Sequence, residues 1–257
     1  MTRTLKLTIA YDGTRYAGWQ VQAQRHQARQ QPTIQGTLET ILRRILQESV
    51  RVIGSGRTDA GVHAIAQVAH MKTRSSMSRE RLLRSVNQLL PPDIAVTHID
   101  EAPASFHARF TVTKKRYQYR FFLGDVAPPF IRPYIHQVQT PVNLRMMRRE
   151  AAVLQGWHDF KAFGRASSLR QRKSTRAITA IALTRRDREL RLDVEGNGFL
   201  HTMVRSIAGT LLDVGRGRLP PGTVRQMLTT GKRQLAGTTA PAKGLTLVSV
   251  SYEDGSG

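Results

Sequence analysis

The chain contains no cysteine among its 257 residues. That absence excludes disulfides, thiolate nucleophiles, iron–sulfur clusters and cysteine zinc sites together. Long apolar runs are missing as well. None approaches the roughly 20 residues a membrane span requires, and the basic N-terminal stretch MTRTLKLTIAYDG lacks the continuous apolar segment of a signal peptide. A soluble, unprocessed, cytoplasmic protein is the expectation. Acids are scarce too, with 18 Asp and Glu against 40 Lys and Arg, a formal net charge of +22.

What is present in excess is arginine, 32 residues against 8 lysines. Two long windows hold no acid at all. The first, between Asp159 and Asp187, contains Lys161, Arg165, Arg170, Arg172, Lys173, Arg176, Arg185 and Arg186; the second runs from Val214 to Ser251. Guanidinium forks match phosphate oxygens bidentately, and their binding releases condensed counterions, so nucleic acid is the expected partner. With 40% hydrophobic residues the chain can still build a core, and its length allows one large domain or two small ones.

Hydrophobic periodicity sets out the elements. Leu5, Leu7, Ile9 and Tyr11 alternate as in a half-buried strand, and Ile34, Leu38, Ile41, Leu42 and Ile45 recur at helical spacing. A strand near 50–53, the tight turn GSGRTDAG, a strand over 62–71, a helix opened by Ser78 and stopped by Pro91–Pro92, and a strand over 94–99 complete a βαββαβ order. The second half is expected to repeat it, with a strand over 109–123, a helix around Leu144–Leu154, strands near 176–184 and 190–194, a helix through Leu200–Leu211, a short helix after Pro220–Pro221 and a closing strand over 245–252. The expected architecture is α+β: two ferredoxin-like halves, 1–104 and 105–257, with sheets joined around a central basic cleft. A tandem RNA-recognition motif is disfavoured, because the strand over 62–71 carries no aromatic residue.

Common catalytic signatures are missing. There is no GxSxG elbow, P-loop or HExxH, and Gly54, Gly56 and Gly61 miss the dinucleotide spacing. Asp193 and Glu195 form the best adjacent acidic pair, but on a strand they share a face and suit salt bridges better than metal. His63 and His70 belong to no ligand cluster and are read as packing or polar surface groups. Asp59 stands out, an acid in a glycine-bounded turn two residues after Arg57 in a chain built to attract polyanions. Pattern alone leaves two roles open, an Asx-turn or a carboxylate kept ionised by neighbouring guanidinium charge and used as nucleophile or acid/base.

The turn reads GRTDAGVHA at 56–64 and resembles the catalytic motif of the tRNA pseudouridine synthase A family. Four further blocks resemble that family in the correct order: AYDGTRYAGWQ at 10–20, FHARF with KRYQY at 106–119, GNGFLHTMVRSIAGTLLDVGRGR at 196–218 and TAPAKGLTLVSVSY at 239–252. The resemblance implies the pseudouridine synthase fold and isomerisation of uridine to pseudouridine at positions 38, 39 and 40 of the tRNA anticodon stem-loop, with no cofactor and no metal. It implies that Asp59 is the nucleophile, attacking C6 of uracil or C1′ of ribose or assisting a glycal route. By the same carry-over, Arg57 fills the space left by a flipped base or holds a flanking phosphate. Tyr117 stacks on the uracil, Arg205 pairs with the aspartate, and Leu245 packs against the uracil site. Tyr119 and Phe121 are expected in the core.

The family's habit also implies a homodimer. The segment 23–32, AQRHQARQQP, departs from the family's short loop and is expected to be an exposed RNA-contacting or disordered insertion. Two rival functions remain, a non-catalytic RNA chaperone and a metal-dependent nuclease.

Overall fold

The computed structural model describes residues 1–21, 31–165 and 174–253; most of the expected insertion lies outside them. The chain divides into two compact units, Met1–Thr113 with Leu247–Gly257, and Lys114–Thr246.

In the first unit, strands β1 (Arg3–Tyr11), β2 (Ile53–Gly54), β3 (His63–Thr73) and β4 (Ile94–Ala102) are joined through helices α1 (Ile34–Leu46) and α2 (Arg79–Leu89). β1 lies between β3 and β4, antiparallel to both, with Leu7 opposite Ala69 on one side and Ile99 on the other. The alternation read from the sequence is the burial pattern found, since Leu5, Leu7, Ile9 and Tyr11 are all buried. Both helices start on side-chain caps. Thr33 accepts from the Gly36 amide and Ser78 from the Arg81 amide, each satisfying one orphan N–H of a first turn. Their buried faces are Ile34, Leu38 and Leu42 on α1 and Leu82 and Val86 on α2. The closing strand β10 (Leu245–Tyr252), whose residues from Leu247 onward belong here, adds to β3 and gives the order β4-β1-β3-β10.

The second unit holds β5 (Val112–Leu123, from Lys114 onward), β6 (His136–Val138), α3 (Leu144–Ala152), β7 (Gly156–Asp159), β8 (Thr175–Arg186), β9 (Glu189–Gly196), α4 (Met203–Gly215) and α5 (Thr223–Thr230). β5, β9, β8 and β7 follow one another in an antiparallel sheet, with Tyr117 opposite Val194 and Phe121 opposite Leu190; β6 runs parallel to β5. The charged hairpin between β8 and β9 turns at Asp187, whose φ of 52° is left-handed. Among its 13 residues α4 buries all but Arg205. Gly209 makes that possible, because a β-carbon there would stand 1.7 Å from the Thr238 carbonyl oxygen.

Three differences from the sequence reading have physical causes. Residues 107–111 form a turn rather than the start of β5, because the amides of Phe110 and Thr111 both donate to the His107 carbonyl, at 3.0 and 3.1 Å. Of the stretch 50–53 only Ile53 enters a strand, pairing with His70. β6 and β7 have three and four residues, too few to show a period.

Candidate active site

Asp59 sits half-buried on the turn between β2 and β3. Two sets of contacts hold that turn. From below, Gln67 on β3 is wholly buried, accepts from Ser55 Oγ at 2.6 Å and donates to the Gly56 carbonyl at 3.1 Å. The Tyr11 hydroxyl meets Thr58 Oγ1 at 2.9 Å. Burial pushes the Tyr11 phenol up to about 12, against the opposing effect of its bonds to Thr58 and Gln67, so it stays protonated at neutral pH. From the side comes the loop 12–21. The Trp19 amide donates to the Thr58 carbonyl at 3.1 Å, and Gly18, at φ +96°, lies against the backbone of Thr58 and Asp59. The Gly13 amide donates to His63 Nδ1 at 3.1 Å, tying that loop to the first residue of β3. The Asp59 carbonyl accepts from the Val62 amide, and Gly61 completes the turn at φ +75°. The backbone that carries the Asp59 carboxylate is thus held from two sides.

Arg57 is exposed on the same turn, and its Nε donates to Gln20 Oε1 at 3.2 Å. Gln20 is held by Gln35 on α1, which also donates to Glu39 and to the Val52 carbonyl. The guanidinium is tethered at one nitrogen on an exposed residue, which leaves its fork able to meet an anion.

Tyr117, Arg205 and Leu245 are in the second unit. Tyr117 on β5 is 7% exposed and meets the Phe199 ring edge-on, with centroids 5.1 Å apart. Gly196 allows this approach, since a β-carbon there would stand 3.3 Å from Phe199 and 2.4 Å from the Ala177 carbonyl. Arg205 projects from α4 and donates from Nε to the Ala240 carbonyl at 2.9 Å, while the Ala240 amide donates back to the Arg205 carbonyl. Tyr119 is fully buried, as expected, and donates to the Pro241 carbonyl at 2.8 Å. Gly244 fits under its ring, where a β-carbon would be 2.6 Å from Cζ. The segment 240–245 is therefore fastened to α4 and to β5, and it delivers Leu245, itself buried, at the head of β10. Sequence reasoning named Arg205, Tyr117 and Leu245 but missed this shared fastening. It also missed Gly18 and Gln67, whose signal in the sequence is no more than a glycine beside Trp19 and a polar residue in an apolar strand.

Arg233, its pKa lowered by burial, donates to Ser206 Oγ, to the Ala162 carbonyl and to Thr239 Oγ1. Asp193 and Glu195 are engaged with Arg116 and Lys114, the salt-bridged role expected of them. Among the described residues no group of three or more His, Asp or Glu is placed to hold a metal ion, and no helix is long and apolar enough to cross a membrane.

A family model described as tRNA pseudouridine synthase matches residues 7–111 and 151–253. Proteins named tRNA pseudouridine synthase A are similar over nearly the whole chain. That of Acetivibrio thermocellus is 39% identical over 250 residues, 97% of this chain and 100% of its own. Those of Anoxybacillus flavithermus and Geobacter sulfurreducens are each 42% identical, over 98% and 97% of this chain and 100% of theirs.

Proposed function

The chain belongs to the tRNA pseudouridine synthase family, and from that membership we propose that it isomerises uridine to pseudouridine in the anticodon stem-loop of tRNA, at positions 38, 39 and 40. The enzyme is an isomerase, and its fold is that of the family. In the reaction the C1′–N1 bond breaks, a C1′–C5 bond forms, the C5 hydrogen leaves to water and N1 takes up a proton; no electron is gained or lost overall.

Asp59 is the nucleophile. Its support is the turn just described, braced by Gly18, Trp19 and Gln67 within the matched residues. A base inside a stem must leave its stack before a carboxylate can reach its sugar or ring. Arg57 takes the vacated space or a flanking phosphate, Tyr117 stacks on the uracil, Arg205 supplies positive charge that favours the ionised carboxylate, and Leu245 packs against the uracil. The enzyme works as a homodimer in the cytoplasm, and its excess of 22 positive charges draws in the tRNA.

The test is tritium release from tRNA labelled at uridine C5, with and without chelator, for the wild type and Asp59→Asn. Release that resists chelator and vanishes in the variant is expected. Tight binding without release would point instead to an RNA chaperone, and metal-dependent strand scission to a nuclease.

A further inference from the structure

Phe110 is a large aromatic ring left 77% exposed, as Phe130 and Trp157 are elsewhere. It does not hang free. Its ring stacks on His107, with centroids 4.2 Å apart and planes 28° from parallel, and His107 in turn meets buried His70 at 4.7 Å. Behind His70 stands Phe106, edge-on at 6.0 Å, and behind Phe106 stands Tyr252 at 5.0 Å. The column is fixed by backbone bonds at every level. The Ala108 amide donates to His70 Nδ1, the Arg109 amide to His107 Nδ1, the Phe110 amide to the His107 carbonyl, and the Tyr252 hydroxyl to the Ala108 carbonyl. The guanidinium carbon of Arg109 lies 5.9 Å from the Phe110 ring centre.

We propose that Phe110 and Arg109 form a stacking platform for an unpaired base of the RNA substrate, distinct from the base that is isomerised. The inference rests on the reading of the protein as a tRNA-modifying enzyme. An exposed ring beside a cation, on a strongly positive protein, suits a planar base with its phosphate better than an apolar protein surface, which needs a broad apolar patch. The ring is already held in place, so little conformational freedom is lost when a base settles on it.

Position separates this platform from the chemistry. His70 lies seven residues along β3 from His63, next to the Asp59 turn, which at about 3.3 Å per residue is on the order of 20 Å. The platform therefore acts on tRNA affinity and register, not on bond making.

Direct tRNA binding across a salt titration, and tritium release at saturating tRNA, would be measured for the wild type, Phe110→Ala, Phe110→Leu and Phe110→Trp, with thermal melts as a folding control. Ala and Leu are expected to weaken binding about tenfold or more, with kcat and the salt slope unchanged. Trp is expected to restore affinity, with its added fluorescence quenched by tRNA. Wild-type affinity in the Leu or Ala variant would overturn the proposal. So would a salt slope reduced by about one, the mark of a phosphate contact, or a lost affinity that tracks a changed oligomeric state on sedimentation. Because binding is read directly, a wild type that binds tRNA but releases no tritium counts against the proposed function alone.

Discussion

Gly18 and Thr58 stand in backbone contact, so close that a β-carbon on Gly18 would lie 2.5 Å from the Thr58 carbonyl oxygen. The contact sets the height of the Asp59 turn, and no side chain could take part in it. The left-handed φ of +96° at Gly18 adds a second reason for glycine.

Gly18→Ala should therefore shift the turn as well as strain it. We expect a loss of about 1–3 kcal/mol in stability and a fall in kcat larger than any change in KM. A melt together with steady-state tritium release checks both, and wild-type kcat would show that the turn does not depend on this contact.

Gln67→Leu keeps the buried volume of β3 but removes the bonds to Ser55 Oγ and the Gly56 carbonyl. The expected cost is about 2 kcal/mol, since the buried Ser55 hydroxyl loses this acceptor and the half-buried Gly56 carbonyl its donor. Denaturant titration should show a lower midpoint with an unchanged slope, and activity at saturating tRNA should fall as the turn loosens.

Tyr119→Phe removes the bond to the Pro241 carbonyl while leaving the ring over Gly244. Stability should fall by about 1 kcal/mol, and KM for tRNA should rise as the 240–245 segment loosens around Leu245. Tyr119→Leu, which also empties the space above Gly244, should cost more than the Phe variant by calorimetry.

His136 gives a pH signature. Burial, helped by the charges of Arg216 and Lys243, brings its imidazole down from an ordinary 6.5 to about 4. The folded protein keeps it neutral where the unfolded chain takes up a proton. Its contribution is thus intact above about pH 6.5 and is lost progressively as pH falls toward 4. His136→Leu, which retains the apolar contact with Phe121, should flatten the stability profile by one proton across that window and leave it unchanged above it. Equilibrium unfolding at several pH values would measure this.

Long elements were legible in the sequence because their periods are long. Leu5 to Tyr11 and the Ile34–Leu42 face leave no ambiguity about which side is buried. The turn at 107–111 was hidden because Arg109 to Thr111 read as the start of a strand, while the His107 carbonyl takes the amides of Phe110 and Thr111. At the site, the residues alone left Asp59 between an Asx-turn and a reactive carboxylate; the surrounding motif raised the second reading. The fastening of Arg205 and Tyr119 to Ala240 and Pro241 joins residues 35 and 122 positions apart, a separation no local pattern encodes.

β10 ends the described chain, yet from Leu247 onward it completes the unit that the N-terminus begins. On the ribosome, the edge of β3 that takes this strand waits until a segment encoded beyond the whole second unit has emerged. A nascent chain that stops short of Leu247 would carry an unfinished first unit, and that unit, unlike Lys114–Thr246, cannot be cut out as one uninterrupted stretch of gene without leaving the strand behind.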